Sequence, residues 1–241
     1  MQPLEEERKP TLLPALGLLA LSGCLLLLGG ATALAGGSAP GHGRAISYTV
    51  TITNLTYDQI ISPPVVVVHD GRFDLFEPGQ PAGDELAALA EDGMTGPLVG
   101  LLEVSPGVFD YAVAGGGIPP GASMTVEVSV QRRRGRLSLA GMLVSTNDAF
   151  VGLDGYTLPF TPFGLSGDLV VLAPAYDAGS EANTESCDHI PGPPCGSPEV
   201  RVTDGAEGFV HVHRGVRGAG DLDDSAKDWR NPVARIRIEP M

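Results

Sequence analysis

The clearest pattern in the chain is a strict alternation of apolar and polar positions. In "ISYTVTIT", Ile46, Tyr48, Val50 and Ile52 fall on one side, and Ser47, Thr49, Thr51 and Thr53 on the other. Successive side chains of a strand point to opposite faces, so this segment predicts a half-buried β-strand. Met124, Val126, Val128 and Val130 alternate in the same way with Ser123, Thr125, Glu127 and Ser129. In "NPVARIRIEP", Ala234, Ile236 and Ile238 are expected to face inward and Arg235 and Arg237 outward. "VVVVH" at 65–69 is different. A continuous β-branched run behind Pro63-Pro64 predicts a strand buried on both faces.

Between these strands "DELAALAEDG" reads as a short helix, with Asp84 as its cap and Gly93 past its end. "GPLVGLLEV" adds a further turn or two. "RLSLAGMLV" is expected to follow the 123–130 strand across a tight basic hairpin at Arg133-Arg134-Gly135, and "DLVVLAP" and "GFVHVH" are shorter strand candidates. Many turn-punctuated strands with one or two short helices predict a mainly β fold, an antiparallel β-sandwich forming one domain over residues 46–241.

The N-terminus follows another pattern. Leu12–Leu28 is almost wholly apolar, and Ala33-Leu34-Ala35 carries the small residues accepted at a signal cleavage site. Residues 1–35 are therefore read as a signal peptide or an anchor. The alternatives to cleavage after Ala35 are an uncleaved membrane span and lipidation at Cys24, within Leu21-Ser22-Gly23-Cys24. Residues 36–45 then form a flexible linker. All three routes deliver the domain outside the cytoplasm as a secreted, periplasmic or surface-tethered protein.

Composition narrows the chemistry. A net charge of −14 and a pI near 4.6 argue against nucleic acid as a partner, because phosphate binding needs clustered Lys and Arg. Arg132, Arg133, Arg134 and Arg136 are the one dense basic cluster, read as a solvated turn or a site for an anionic glycan or lipid headgroup. With Cys24 in the leader, Cys187 and Cys195 remain as a pair, expected to staple a Pro/Gly-rich loop in an oxidising compartment. A metal site including His189 is the alternative there.

GxSxG, HExxH and Walker signatures are missing, and the chain is read as a non-enzyme. His211 and His213 would share one strand face and could reach a common metal, completed by Asp221, Asp223 or Asp224. That arrangement supports an alternative reading as a metal-dependent hydrolase. "GDLDDSAKD" fails as an EF-hand because Ala226 and Pro232 stand where Gly and Glu are needed. Two acidic loops remain, "STNDAFVGLDG" and "AYDAGSEANTE", rich in the oxygen donors a hard cation takes. Gly179 lets the second turn sharply. If the preceding strands are neighbours, both loops emerge at one end of the sandwich. Structural capping of turns is the competing account of these acids.

Several stretches occur together in order: "TNLTYDQIISPPVVVVHD", "FEPGQPAGDELAALAEDG", "SLAGMLVSTNDAFVGL", "PAYDAGSEANTE" and "NPVARIRIEP". In this combination the chain resembles the spondin domain in its bacterial form, over about Ile46 to Glu239. The resemblance implies a C2-like β-sandwich with Ca²⁺ bound by loops at one edge. Family ligands lie in S-P-D-W-x-V-G and in both acids of D-A-G-T-D. Here those motifs read T-N-D-A-F-V-G and D-A-G-S-E, so the implied calcium ligands are Asp148, Asp177 and Glu181. Glu181 departs from the pattern by one methylene. Asn147, Asp154 and Glu185 are not carried over. The implied role is a calcium-dependent binding or adhesion module with an extracellular protein or glycan partner. A structural envelope protein with empty acidic loops is the remaining alternative.

Overall fold

A computed structural model describes residues 45–130, 135–159 and 167–241. The leader, the linker up to Arg44 and Arg132–Arg134 lie outside the described residues. All described residues belong to one compact unit, Gly41–Met241. In chain order the elements are β1 (Ile46–Asn54), β2 (Val65–His69), α1 (Asp84–Asp92), α2 (Thr95–Val104), β3 (Val108–Val113), β4 (Ser123–Val130) and β5 (Arg136–Met142). They continue with β6 (Ala149–Thr157), β7 (Leu169–Ala173), β8 (Ala175–Asp177), β9 (His211–Val212), the single turn α3 (Asp224–Lys227) and β10 (Ala234–Pro240).

The strands form two antiparallel sheets, ordered β4-β1-β10-β7 and β3-β2-β5-β6-β8-β9. Their inner faces bury Tyr48, Val50, Ile52, Val126, Val128, Ile236 and Ile238 against Val66, Val68, Leu137, Leu139 and Val151. This is the expected sandwich, with the alternating segments facing as their pattern predicts. The β-branched run of β2 is buried throughout because it serves two cores. Val66 and Val68 face the first sheet, while Val65 and Val67 pack under a helical layer with Leu86, Leu89, Leu98, Leu102 and Phe150.

Helix α1 covers that outer face because Leu86, Leu89 and Ala90 recur at helical spacing and are buried. Gly93 ends it in the left-handed region at φ 67°, donating its N–H to Leu89 O as expected. The N-cap, however, is Gly83 rather than Asp84, with no side-chain cap. Asp84 sits inside the first turn instead, where a carboxylate favours the positive end of the helix dipole.

Two further expectations are corrected. β4 and β5 are not a hairpin: β4 pairs with β1, β5 pairs with β2 and β6, and the connection between them crosses from one sheet to the other. Alternation fixes a strand's faces but not its partner. "STNDAFVGLDG" is a loop only up to Asp148, since Ala149–Thr157 is β6. β6 is buried over its first five residues, which removes the alternation a strand normally shows.

Cys187 and Cys195 are disulfide-bonded, as the spacing predicts, so neither sulfur serves a metal site with His189. The bridge closes a loop of 8 residues of separation next to the acidic turn. The double substitution Cys187→Ser, Cys195→Ser is expected to cost about 2–3 kcal/mol by chain entropy. Equal urea midpoints for variant and parent would show that the bridge adds no stability. Among the described residues no helix is long and apolar enough to cross a membrane.

Candidate metal centre

Strand pairing gathers the acidic residues. β6 and β8 run antiparallel with Ala149 opposite Asp177, so Asp148 and Ala178 meet just beyond the pair. The Ala178 N–H donates to Asp148 O at 3.1 Å. β8 in turn pairs with β9, with Asp177 opposite His211. Asp148, Asp177 and His211 therefore lie side by side at one end of the six-stranded sheet, although they come from segments 29 and 34 residues apart.

Asp148 is fully buried. Its Oδ2 accepts from the backbone N–H groups of Ser180 (2.8 Å) and Glu181 (3.0 Å), which ties down the D-A-G-S-E turn. Its Oδ1 is buried and has no partner. Burial, and after it the negative charge of Asp177, pushes the Asp148 carboxyl well above the usual carboxylate range. Asp177 is also buried. Its Oδ1 accepts from Gly179 N–H (2.8 Å) and its Oδ2 from Asn183 Nδ2 (2.6 Å). Burial raises its pKa, while these two hydrogen bonds and His211 oppose the rise.

Glu181 occupies the same turn, but its Oε1 accepts from Val202 N–H at 2.8 Å. Burial lifts it to about 7, with the Val202 N–H lowering it and the nearby Glu91 raising it. The structure thus brings Asp148 and Asp177 together and holds Glu181 in the same turn; Glu181 accepts one N–H through Oε1, as Asp148 and Asp177 accept N–H groups of their own. The two acids and the amide left aside by the resemblance are structural. Glu185 Oε1 and Oε2 accept from the N–H groups of Arg217 (2.7 Å) and Ala219 (2.6 Å). Asn147 Oδ1 accepts from Glu185 N–H (3.1 Å), and Asp154 accepts from Leu75 N–H and Ser138 Oγ.

The two histidines of "HVH" play different parts. His213 is buried, and Gly215 N–H donates to its Nδ1 at 3.0 Å, so its Nε2 carries the proton and donates to Asn183 Oδ1 at 3.0 Å. Both nitrogens are committed, and burial lowers its pKa to about 4, keeping the ring neutral. His213 is not placed to ligate; it holds the Asn183 amide that donates to Asp177 and, at 3.2 Å, to Glu207. Both rings set Nε2 3.7 Å from an Asp177 oxygen, His213 from Oδ2 and His211 from Oδ1, but only the His211 Nε2 lacks a hydrogen-bond partner. Asp223 caps α3 through Ser225 N–H, and Asp221 accepts from Cys187 N–H, so these expected partners of the histidines have other work.

Asp177, Glu207 and His211 place their ligand atoms within 4.8 Å of one another. Glu207 carries no sequence signal, being an isolated acid in a Gly-rich turn. Its place is set by Gly208 N–H donating to Gly179 O (2.8 Å), a contact visible only after folding. No protein-family model and no curated protein matches the chain.

Proposed function

We propose that the chain is an extracytoplasmic spondin-like module that binds Ca²⁺ between its β6 and β8 loops and acts in adhesion or partner binding rather than catalysis. The observation that carries the reading is Asp148: a fully buried carboxylate with one unpartnered oxygen, set beside the buried Asp177. Two buried acids at close quarters repel each other, and a buried carboxylate left without a counter-charge is costly. A hard dication offsets both terms and takes oxygens from carboxylates and loop carbonyls. Asp148, Asp177 and Glu181 would hold the ion. Glu181 contributes a backbone N–H to Asp148, and its carboxylate adds negative potential from the Val202 side. The ordered motifs around both aspartates support the family reading, and the Cys187–Cys195 disulfide suits an oxidising compartment.

Bound calcium would lock the turn after β8 to the start of β6, fixing the shape of that end of the sandwich. Isothermal titration of the full chain with Ca²⁺ tests this. Asp148→Asn is expected to weaken binding about tenfold or more, each decade being 1.4 kcal/mol. The amide still accepts from Ser180 and Glu181, so the fold should persist by circular dichroism. Absence of heat with the parent chain in millimolar Ca²⁺ would sink the reading.

A further inference from the structure

We infer that Asp177, Glu207 and His211 form a second site, on the β9 side of Asp177, for a borderline divalent ion of the Zn²⁺ class. The inference goes beyond the calcium reading and shares only Asp177 with it.

The His211 ring supplies the nitrogen donor. Its Nδ1 lies 3.2 Å from the Val212 carbonyl oxygen, which can only accept, so Nδ1 carries the proton. Nε2 of the neutral ring then presents a lone pair. That atom is buried, has no hydrogen-bond partner and faces Asp177 Oδ1 at 3.7 Å. In the neutral ring this lone pair and the carboxylate oxygen converge on one point, the place a cation would take; in the imidazolium the same contact is an ion pair. An ion bonded to both at about 2.1 Å sets them about 3.4 Å apart at the tetrahedral angle. The observed separation lies close to that, and Glu207, exposed and able to change rotamer, supplies the remaining closure within the 4.8 Å spread of the three.

The surroundings are those of a metal site. Metal-ligating histidines usually donate their other ring N–H to a carbonyl or carboxylate, which fixes tautomer and orientation, as Val212 O does here. One amide, Asn183 Nδ2, donates to both Asp177 Oδ2 and Glu207 Oε1. His213 pins that amide from behind. The loop carrying Glu207 is held against the Asp177 turn through Gly208 and Gly179. Exposure of Glu207 leaves an entry path and a coordination position for water or a partner's donor group.

Donor chemistry assigns the ion. Calcium takes oxygen ligands, whereas one imidazole and two carboxylates suit zinc and its neighbours. The two sites are thereby separated by hardness: oxygen donors around Asp148, a nitrogen donor at His211.

Titration of the calcium-free full chain with Zn²⁺, and with Co²⁺ as a spectroscopic probe, is the test. The parent should bind one ion at this site and show intense cobalt ligand-field bands of low coordination number. His211→Gln and Glu207→Gln should each lower Zn²⁺ affinity by about tenfold or more, and His211→Gln should bleach the cobalt bands. Both positions lie at the sheet edge or in an exposed turn, so matching circular dichroism is expected. Asp148→Asn should lose Ca²⁺ and keep Zn²⁺. Zn²⁺ affinity unchanged in both variants, or loss of Zn²⁺ together with Ca²⁺ in Asp148→Asn, overturns the second site. No Zn²⁺ binding by the parent also overturns it, and leaves His211 as a proton-bearing partner of Asp177. Failure of Ca²⁺ binding alone, with Zn²⁺ binding lost in His211→Gln, defeats the calcium reading and leaves this inference standing.

Discussion

Gly179→Ala is expected to lower the unfolding free energy by roughly 3–5 kcal/mol in urea denaturation, near the upper end for a single substitution. Two costs act together. Gly179 has φ +66°, the left-handed region where a Cβ costs about 1–2 kcal/mol. The added Cβ would also lie 2.3 Å from Phe209 O and 2.6 Å from Phe209 N. These are backbone atoms, which cannot swing aside as a side-chain tip can. Relief therefore requires the 207–210 segment to move off the D-A-G-S-E turn, breaking the Gly208–Gly179 hydrogen bond and separating Glu207 from Asp177. Gly208→Ala provides the control. It has φ +80° but nothing within 4 Å of a new Cβ, so only the dihedral cost of about 1–2 kcal/mol should appear. Equal destabilisation by the two substitutions would remove close packing from the explanation.

The same turn shows what could be read before folding and what could not. Gly179 stands out in "DAGSE" because a residue with no Cβ flanked by acids marks a sharp turn, yet the atom that makes it necessary, Phe209 O, is thirty positions away. β1, β4 and β10 were legible because each has one wet face and one dry face, so alternation reports directly on burial. β2 was legible for the opposite reason, since a β-branched run of that length has no wet face. β3 escaped notice. Its residues are half-buried along nearly the whole strand, so "VFDYAV" carries no contrast for a periodic reading to detect. The β4–β5 hairpin failed because a basic turn between two strand patterns does not say whether the chain doubles back or crosses to the other sheet.

The site divides along the same line. Asp148 and Asp177 could be found because local motifs surround each of them. Their meeting depends on one register, Ala149 against Asp177, which motif order suggests and only the sheet fixes. His211 and His213 were visible as a pair on one face, but their roles are opposite. The difference arises from Gly215 N–H, which fills the Nδ1 of His213 and has no counterpart at His211. The expectation that Asp221, Asp223 or Asp224 would join them did not anticipate Asp177, brought in by the two-residue strand β9.

Chelated protein should lose stability as pH rises from about 6.5 to about 8, and saturating Ca²⁺ should reverse that trend. Below about 6.5 the buried His213, held at about 4 against an ordinary 6.5, gains stability with rising pH and opposes the carboxylates. Glu181 titrates at about 7 in the folded chain against 4.5 for an ordinary glutamate, chiefly through burial. Asp148 is shifted in the same direction by burial and by Asp177. For an acid raised on folding, the native state binds more protons than the unfolded state throughout the interval between the two values. Stability therefore falls with increasing pH across that interval; for Glu181 the penalty is absent below about 4.5 and complete above about 7. A cation held by Asp148, Asp177 and Glu181 competes with the protons, so it binds more tightly as they leave. At a hundredfold excess over Kd it adds about 2.7 kcal/mol, or roughly 5–10 °C in Tm for a domain of this size. Thermal melts in EDTA and in Ca²⁺ at pH 5, 6, 7 and 8 should consequently diverge as pH rises. Asp148→Asn removes one of the two buried charges, so its EDTA curve should slope less with pH, and Ca²⁺ at the same concentration should raise its Tm by about half the parent's shift or less. Superimposable parent melts with and without Ca²⁺ at pH 8 would mean that these carboxylates carry their repulsion without relief from calcium. Their burial would then remain a cost of the fold rather than the mark of a calcium site.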